Sequence, residues 1–268
     1  MILELLTDGA PLTQRLEAAR REEQPLAVAV LAALLCRRQE AAAALHAANG
    51  RPGAATGAAL VALWAGDPMR ALVAADRAGG DPLAEALAAE ALALTARTEE
   101  AWERLARLPN AHPYAAVVRA WIQRRSGAPG EALRALEDAP ELGLLGARVR
   151  RVRAEALLAG EPPDAVAARN ELSAGVWRLA QLGAPDELGR AYLAMAEVEA
   201  TTPGGGARAA QWLARAHPLL QSFGTAFDQE RLRRAFRRFG RRAIDRLVDE
   251  SLERCLEGVR AGASRALD

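Results

Sequence analysis

The chain has 268 residues, with 35 basic against 34 acidic side chains for a net charge of +1, and is 51% hydrophobic but only 4% aromatic. All 35 basic residues are arginine, so neither a Schiff-base lysine nor a phosphate-loop lysine exists, which excludes pyridoxal-phosphate enzymes and Walker-type nucleotidases. A core built from alanine and leucine predicts an all-α fold, because alanine has the highest helix propensity and its small side chain lets helix axes approach closely. The missing lysine, with three isoleucines and three asparagines, fits the codon usage of a GC-rich genome.

Met1–Asp8 lacks a basic region and carries acids where a signal peptide would be apolar, and no uncharged run reaches membrane-spanning length. The expectation is a soluble cytoplasmic protein with no membrane partner. From Pro25 onward the chain reads as pairs of short helices: 25–37 with 39–48, 54–65 with 68–78, 82–96 with 99–108, and 112–125 with 130–139. Asp67-Pro68 and Asp81-Pro82 each combine an N-cap with a first-turn proline, the position where a missing N–H costs nothing. Beyond Glu141 the pairs lengthen to 142–158 with 163–182 and 185–200 with 207–223, separated by the Thr201–Gly206 break. The three consecutive glycines there read as an interhelix loop rather than an anion-binding nest.

An alanine opens the second helix at a nearly constant step: Ala41, Ala71, Ala101, Ala132 and Ala165, with gaps of 30, 30, 31 and 33. Five residues before each stands Cys36, Gly66, Ala96, Gly127 or Gly160. Repetition at this step predicts stacked helix pairs, each too small to bury its apolar face alone.

These positions resemble the tetratricopeptide repeat, in which a small residue ends the first helix and an alanine opens the second five places on. A bulky apolar residue follows four later, and another alanine three after that. Gly127, Ala132, Leu136 and Ala139 match all four slots; Gly66, Ala71 and Ala78 match three, with Ala75 in the bulky slot. Cys36, Ala41, Leu45 and Ala48 match with cysteine as the small residue, and Ala209, Leu213 and Ala216 match the last three. The step is shorter than the family's, and the aromatic residues of its first helix are largely missing. The later units look like repeats appended to large bacterial signalling ATPases and regulators. The resemblance implies a right-handed α-solenoid of about six antiparallel helix pairs over 1–222, followed by capping helices over 223–268. It also implies a non-enzymatic scaffold that binds a protein or peptide partner on a concave face lined by first helices.

On that face the sequence places Tyr114, Trp121, Arg124, Arg125 and Arg150 as candidate partner-binding residues, since aromatic and guanidinium groups supply buried area and bidentate carboxylate contacts. Packing between helices is the competing expectation for Trp121, and the default for Trp64, Trp102, Trp177 and Trp212. Residues 231–246 hold eight arginines and one aspartate, and Leu232, Phe236, Phe239, Ala243 and Leu247 follow helical spacing between them. Thr225 is the expected N-cap of this helix, with Asp228 in its first turn. Its basic patch comprises Arg231, Arg233, Arg234, Arg237, Arg238, Arg241 and Arg242, a cap in the simplest reading, and in the alternatives a dock for an acidic protein partner or neighbouring domain, a contact for nucleic acid phosphates, or a contact for an anionic membrane surface. A further amphipathic helix is expected through Leu252, Leu256 and Val259. The three histidines and two cysteines make no metal spacing and no catalytic motif occurs, so neither metal, cofactor nor enzymatic activity is expected.

Overall fold

A computed structural model describes residues 1–239, and all fifteen elements among them are α-helices. Two short helices, α1 (Ile2–Thr7) and α2 (Leu12–Arg21), precede six consecutive pairs. These are α3 (Pro25–Leu34) with α4 (Arg38–Ala47), α5 (Ala54–Trp64) with α6 (Pro68–Asp76), and α7 (Pro82–Leu94) with α8 (Thr98–Ala106). They continue as α9 (Pro113–Arg125) with α10 (Pro129–Ala135), α11 (Gly143–Ala159) with α12 (Ala165–Leu182), and α13 (Pro185–Thr201) with α14 (Gly206–Phe223). A last helix, α15 (Ala226–Phe239), follows. Arg241 and Arg242 of the expected basic patch, and the expected helix through Leu252, lie outside the described residues.

The periodic small residues have a backbone cause. Cys36, Gly66, Ala96 and Gly127 all adopt the left-handed conformation, with φ of 58°, 82°, 62° and 79°. At each, the next residue's N–H reaches back to a carbonyl inside the first helix: Arg37 to Ala32, Asp67 to Ala62, Arg97 to Leu92 and Ala128 to Gln123, at 2.8–3.0 Å. This is a Schellman cap repeated four times, and it turns the chain into the second helix at a fixed angle. Gly160 breaks the series with extended backbone, where the units lengthen. The alanines that open the second helices, Ala41, Ala71, Ala101 and Ala132, are all buried to within 1% exposure, against the first helix of the pair.

Capping follows the sequence signals closely. Asp67 accepts from the Arg70 N–H, Asp81 from those of Leu83 and Ala84, and His112 Nδ1 from that of Ala115. Thr225 and Asp228 form a reciprocal box at the start of α15: the Asp228 N–H donates to Thr225 Oγ1 at 3.2 Å, and the Thr225 N–H to Asp228 at 2.9 Å.

First helices pack on one another in chain order, α3 on α5, α5 on α7, α7 on α9, α9 on α11, α11 on α13 and α13 on α15. One apolar cluster runs from Ile2 to Ala191 through them. The row curls far enough that α1 bridges α3 and α11. Gly143 permits this closure: a Cβ there would lie 2.5 Å from the Thr7 carbonyl carbon, and its φ of 65° favours glycine. No helix among the described residues is long and apolar enough to cross a membrane.

Candidate functional site: the inner face and its ionic core

Because the row curls, the polar positions of the first helices converge. Glu90, in the otherwise alanine- and leucine-rich α7, accepts from Tyr114 Oη at 2.5 Å and from Arg148 Nη2 at 2.6 Å. Arg148 Nη1 also donates to Tyr114 Oη at 2.8 Å, and its guanidinium lies over the rings of Trp64 and Tyr114. Arg148, Arg151 and Glu155 sit at spacings of three and four on α11, one above the next on its inner face. Glu187 receives Arg151 Nε at 3.2 Å and Arg190 Nη1 at 2.8 Å. Arg190 in turn grips both oxygens of Asp228, tying α13 to the start of α15. Arg231 donates to Glu155 at 2.8 Å and to Glu197 at 3.0 Å.

Electrostatics in this core follow from burial balanced against pairing. Burial alone would raise the Glu155 carboxyl, but Arg231, Arg124 and Arg151 hold it well below the usual range. Asp228 is likewise opposed by burial yet held to about 2 by Arg190 and Thr225. Asp186 goes the other way: burial, with Glu187 and Asp228 nearby, pushes it up despite Arg190, and its Oδ1 has no hydrogen-bond partner. Tyr114 is raised by burial and by Glu90. The Cys36 thiol, half-buried beside Asp186, is pushed up to about 12 by desolvation and that carboxylate.

The candidate partner-binding residues divide. Tyr114 is 1% exposed and spent inside the ionic core. Trp121 meets Phe227 of α15 edge-on, with ring centroids 6.0 Å apart. The Arg125 guanidinium lies 4.7 Å from the Trp121 ring and 4.8 Å from that of Phe227. Arg124 Nη2 is 3.3 Å from Glu155 Oε2. Arg150 is on another flank of α11, paired with Glu141 at 2.8 Å and with Glu171 of α12 at 3.0 Å. A helix advances 100° per residue, so Arg150 points well away from its neighbours Arg148 and Arg151. Phe227 of α15 therefore packs over part of this face, while Arg125 stays exposed.

The basic patch divides too. Arg231 is mostly buried beside the core, whereas Arg233, Arg234 and Arg237 are exposed and, among the described residues, share the carboxylate of Glu230 at 3.2–3.4 Å. Leu232, Ala235 and Phe236 dock on Leu193, Leu213 and Leu220 as the apolar stripe requires. Trp64 is buried, and Trp102 and Trp212 pack partly, but Trp177 departs from the packing expectation at 62% exposure, on the outer side of α12. Outside the inner face, α4, α5 and α6 border an open groove of about 1060 Å³, floored by Ala41, Ala58 and Ala62 and edged by Arg38, Arg51, Arg70 and Arg77.

Periodicity singled out none of Glu90, Arg148, Arg151, Glu155, Glu187, Arg190 or Phe227. The signal present was a charged residue inside an apolar first helix, and opposite charges three or four apart in 151–155 and 187–190. Among the described residues no group of three or more His, Cys, Asp or Glu side chains is placed to hold a metal ion. The chain matches no known family model, and no similar curated protein or solved structure is found.

Proposed function

We propose that the chain is a tetratricopeptide-like right-handed α-solenoid that acts as a non-enzymatic interaction module, taking a protein or peptide segment on its concave face. The observation that carries this reading is the seat of α15. An amphipathic helix already rests there, with Phe227 against Trp121 and Arg125 and with Arg231 between Glu155 and Glu197. A face that accommodates an aromatic anchor and a buried guanidinium is suited to a partner helix of the same chemistry, which displaces α15 when it binds. Beneath that seat each core carboxylate is opposed by a guanidinium: Glu90 by Arg148, Glu155 and Glu197 by Arg231, and Asp186, Glu187 and Asp228 by Arg190. The groove bordered by α4, α5 and α6 offers a second surface, its alanine floor and arginine edges suiting an acidic amphipathic helix.

Affinity capture from the native cell tests the proposal. The Phe227→Ala, Arg231→Ala chain should retain a protein that the unaltered chain retains weakly, and a peptide spanning 223–239 should compete it off. Capture that the peptide leaves untouched counts against the concave-face site.

One observation favours a second reading. Arg233, Arg234 and Arg237 together face solvent and, among the described residues, share one carboxylate, a basic strip suited to nucleic acid phosphates. Binding through it should weaken by orders of magnitude between low and moderate salt, whereas binding in an apolar groove should change little.

A further inference from the structure

Between α9 and α15, beside the buried ionic core, lies a cleft of about 430 Å³. Among the described residues the guanidiniums of Arg124, Arg125, Arg231 and Arg234 line it, with Arg238 at its edge, against the carboxylate of Glu197. The neighbouring acids do not redress the balance. Glu155 is shared by Arg124, Arg151 and Arg231, and Glu230 by Arg233, Arg234 and Arg237. Arg125 has no carboxylate within ion-pair distance among the described residues; its contacts are the Ala93 carbonyl at 3.4 Å and two aromatic faces. Arg124 lines the cleft, and its buried Nε has no hydrogen-bond partner.

The mutual repulsion is expressed in Arg125, which is lowered by burial and then by the charges of Arg124 and Arg234. Clustered like charges destabilise the free protein, and an anion that relieves their repulsion is favoured. Guanidinium forks match the oxygens of phosphate groups, and the volume falls in the range of small-ligand sites.

We propose that this cleft binds a multiply charged anion of the phosphate class, its oxygens held by Arg124 within and by Arg125 and Arg234 at the mouth. Such a ligand bridges α9 to α15 and fastens the last helix to the inner face. The site exists only while α15 is seated, so such a ligand opposes a partner that displaces this helix.

The test uses the full chain with sodium tripolyphosphate and ATP as probes, followed by calorimetric titration and thermal unfolding, with sodium chloride at matched ionic strength as reference. Both probes should bind saturably and raise the unfolding midpoint, with no comparable rise in chloride. Equal affinity for the two identifies a site that reads phosphate alone; tighter ATP identifies a nucleotide. The Arg125→Gln, Arg234→Gln variant should lose about tenfold or more in affinity while keeping its helical circular dichroism. An Arg21→Gln, Arg107→Gln chain with the same charge change, at exposed positions away from every groove described, should bind as the unaltered protein does. Chloride matching the probes, or both paired variants binding alike, overturns the proposal. So does a DNA duplex that binds where the two probes do not, which assigns these arginines to an extended nucleic acid surface.

Discussion

Arg231 of α15 donates from Nη1 to Glu155 of α11 at 2.8 Å across 76 positions of sequence, and both side chains are largely buried. The pair joins the last described helix to the middle of the row, and Glu197 completes the arginine's ligation from α13. Removing one partner of a buried ion pair costs about 3–5 kcal/mol, because the remaining charge stays desolvated. Arg231→Met therefore lowers the urea midpoint, or, if α15 comes off without global unfolding, selectively removes amide exchange protection over 226–238. A variant unaltered in both would mean that α15 is held by its apolar stripe alone.

Acid should loosen the same core. Glu155, Glu187 and Asp228 have folded pKa values held below their unfolded ones by arginine, Asp228 and Glu187 to about 2. The stability they contribute is present above the unfolded carboxylate range near 4 and is lost as pH falls through the folded values. Urea unfolding followed from pH 5 to pH 2 should show a steadily falling midpoint. A flat profile across that window would remove the claim that the inner carboxylates are paired while ionised.

Asp186 carries the opposite sign. Its folded pKa is raised, so ionising it costs the folded state, and that cost is present at pH 7 and vanishes below the unfolded value near 3.9. Asp186→Asn keeps an oxygen for Arg190 while discarding the charge. It should raise the unfolding midpoint at pH 7, with the gain shrinking to nothing toward pH 3.5. Destabilisation at both pH values would show that Arg190 needs the full charge.

The helix pairs were legible because their signals are local: Asp-Pro caps, a small residue where φ turns positive, and an alanine where two axes approach. Each of these acts within a single pair. The ionic core was not legible, because it depends on curvature. Glu90, Arg148 and Glu187 are separated by whole repeats and meet only once the row has curled past a full set of neighbours. Arg150 shows the same limit at short range, since the repeat alignment gave it an inward-facing slot but its helical phase puts it against Glu171 of α12. Trp121 and Arg125 were found by residue type, and what covers them is Phe227, a residue outside the repeats whose role no internal period could reveal.

The small-residue slot can be tested by exchanging residues across equivalent positions. Ala96 sits at φ 62° where Gly127 sits at φ 79°. The left-handed conformation costs a residue with a Cβ roughly 1–2 kcal/mol, and glycine in the unfolded chain offsets about 0.4–1 kcal/mol of that. Ala96→Gly should thus stabilise the protein by roughly 0.5–1 kcal/mol, and Gly127→Ala should destabilise it by a similar amount. Nothing lies within 4 Å of a Cβ at Gly127, so the second change reports backbone conformation without steric conflict. Chemical denaturation of the two single variants decides it: shifts of the same sign would separate the repeated glycine from the turn it was assigned to.

The alanine slot gives the complementary result, because the structure distinguishes positions that the sequence treats as equivalent. Ala101 is fully buried between α8 and the preceding first helix, whereas Ala165, in the same slot of the fifth unit, is only half-buried, and Ala168 takes over its buried place one turn later. Adding methylenes to a packed site costs about 1–3 kcal/mol. Ala101→Leu should therefore lower stability by that amount, and Ala71→Leu likewise, while Ala165→Leu stays within about 0.5 kcal/mol of the unaltered chain. The contrast is the informative quantity, since it measures where the repeat changes register as its helices lengthen. Equal losses at 101 and 165 would mean that the fifth pair packs as tightly as the first four and that its longer helices leave the contact geometry unchanged.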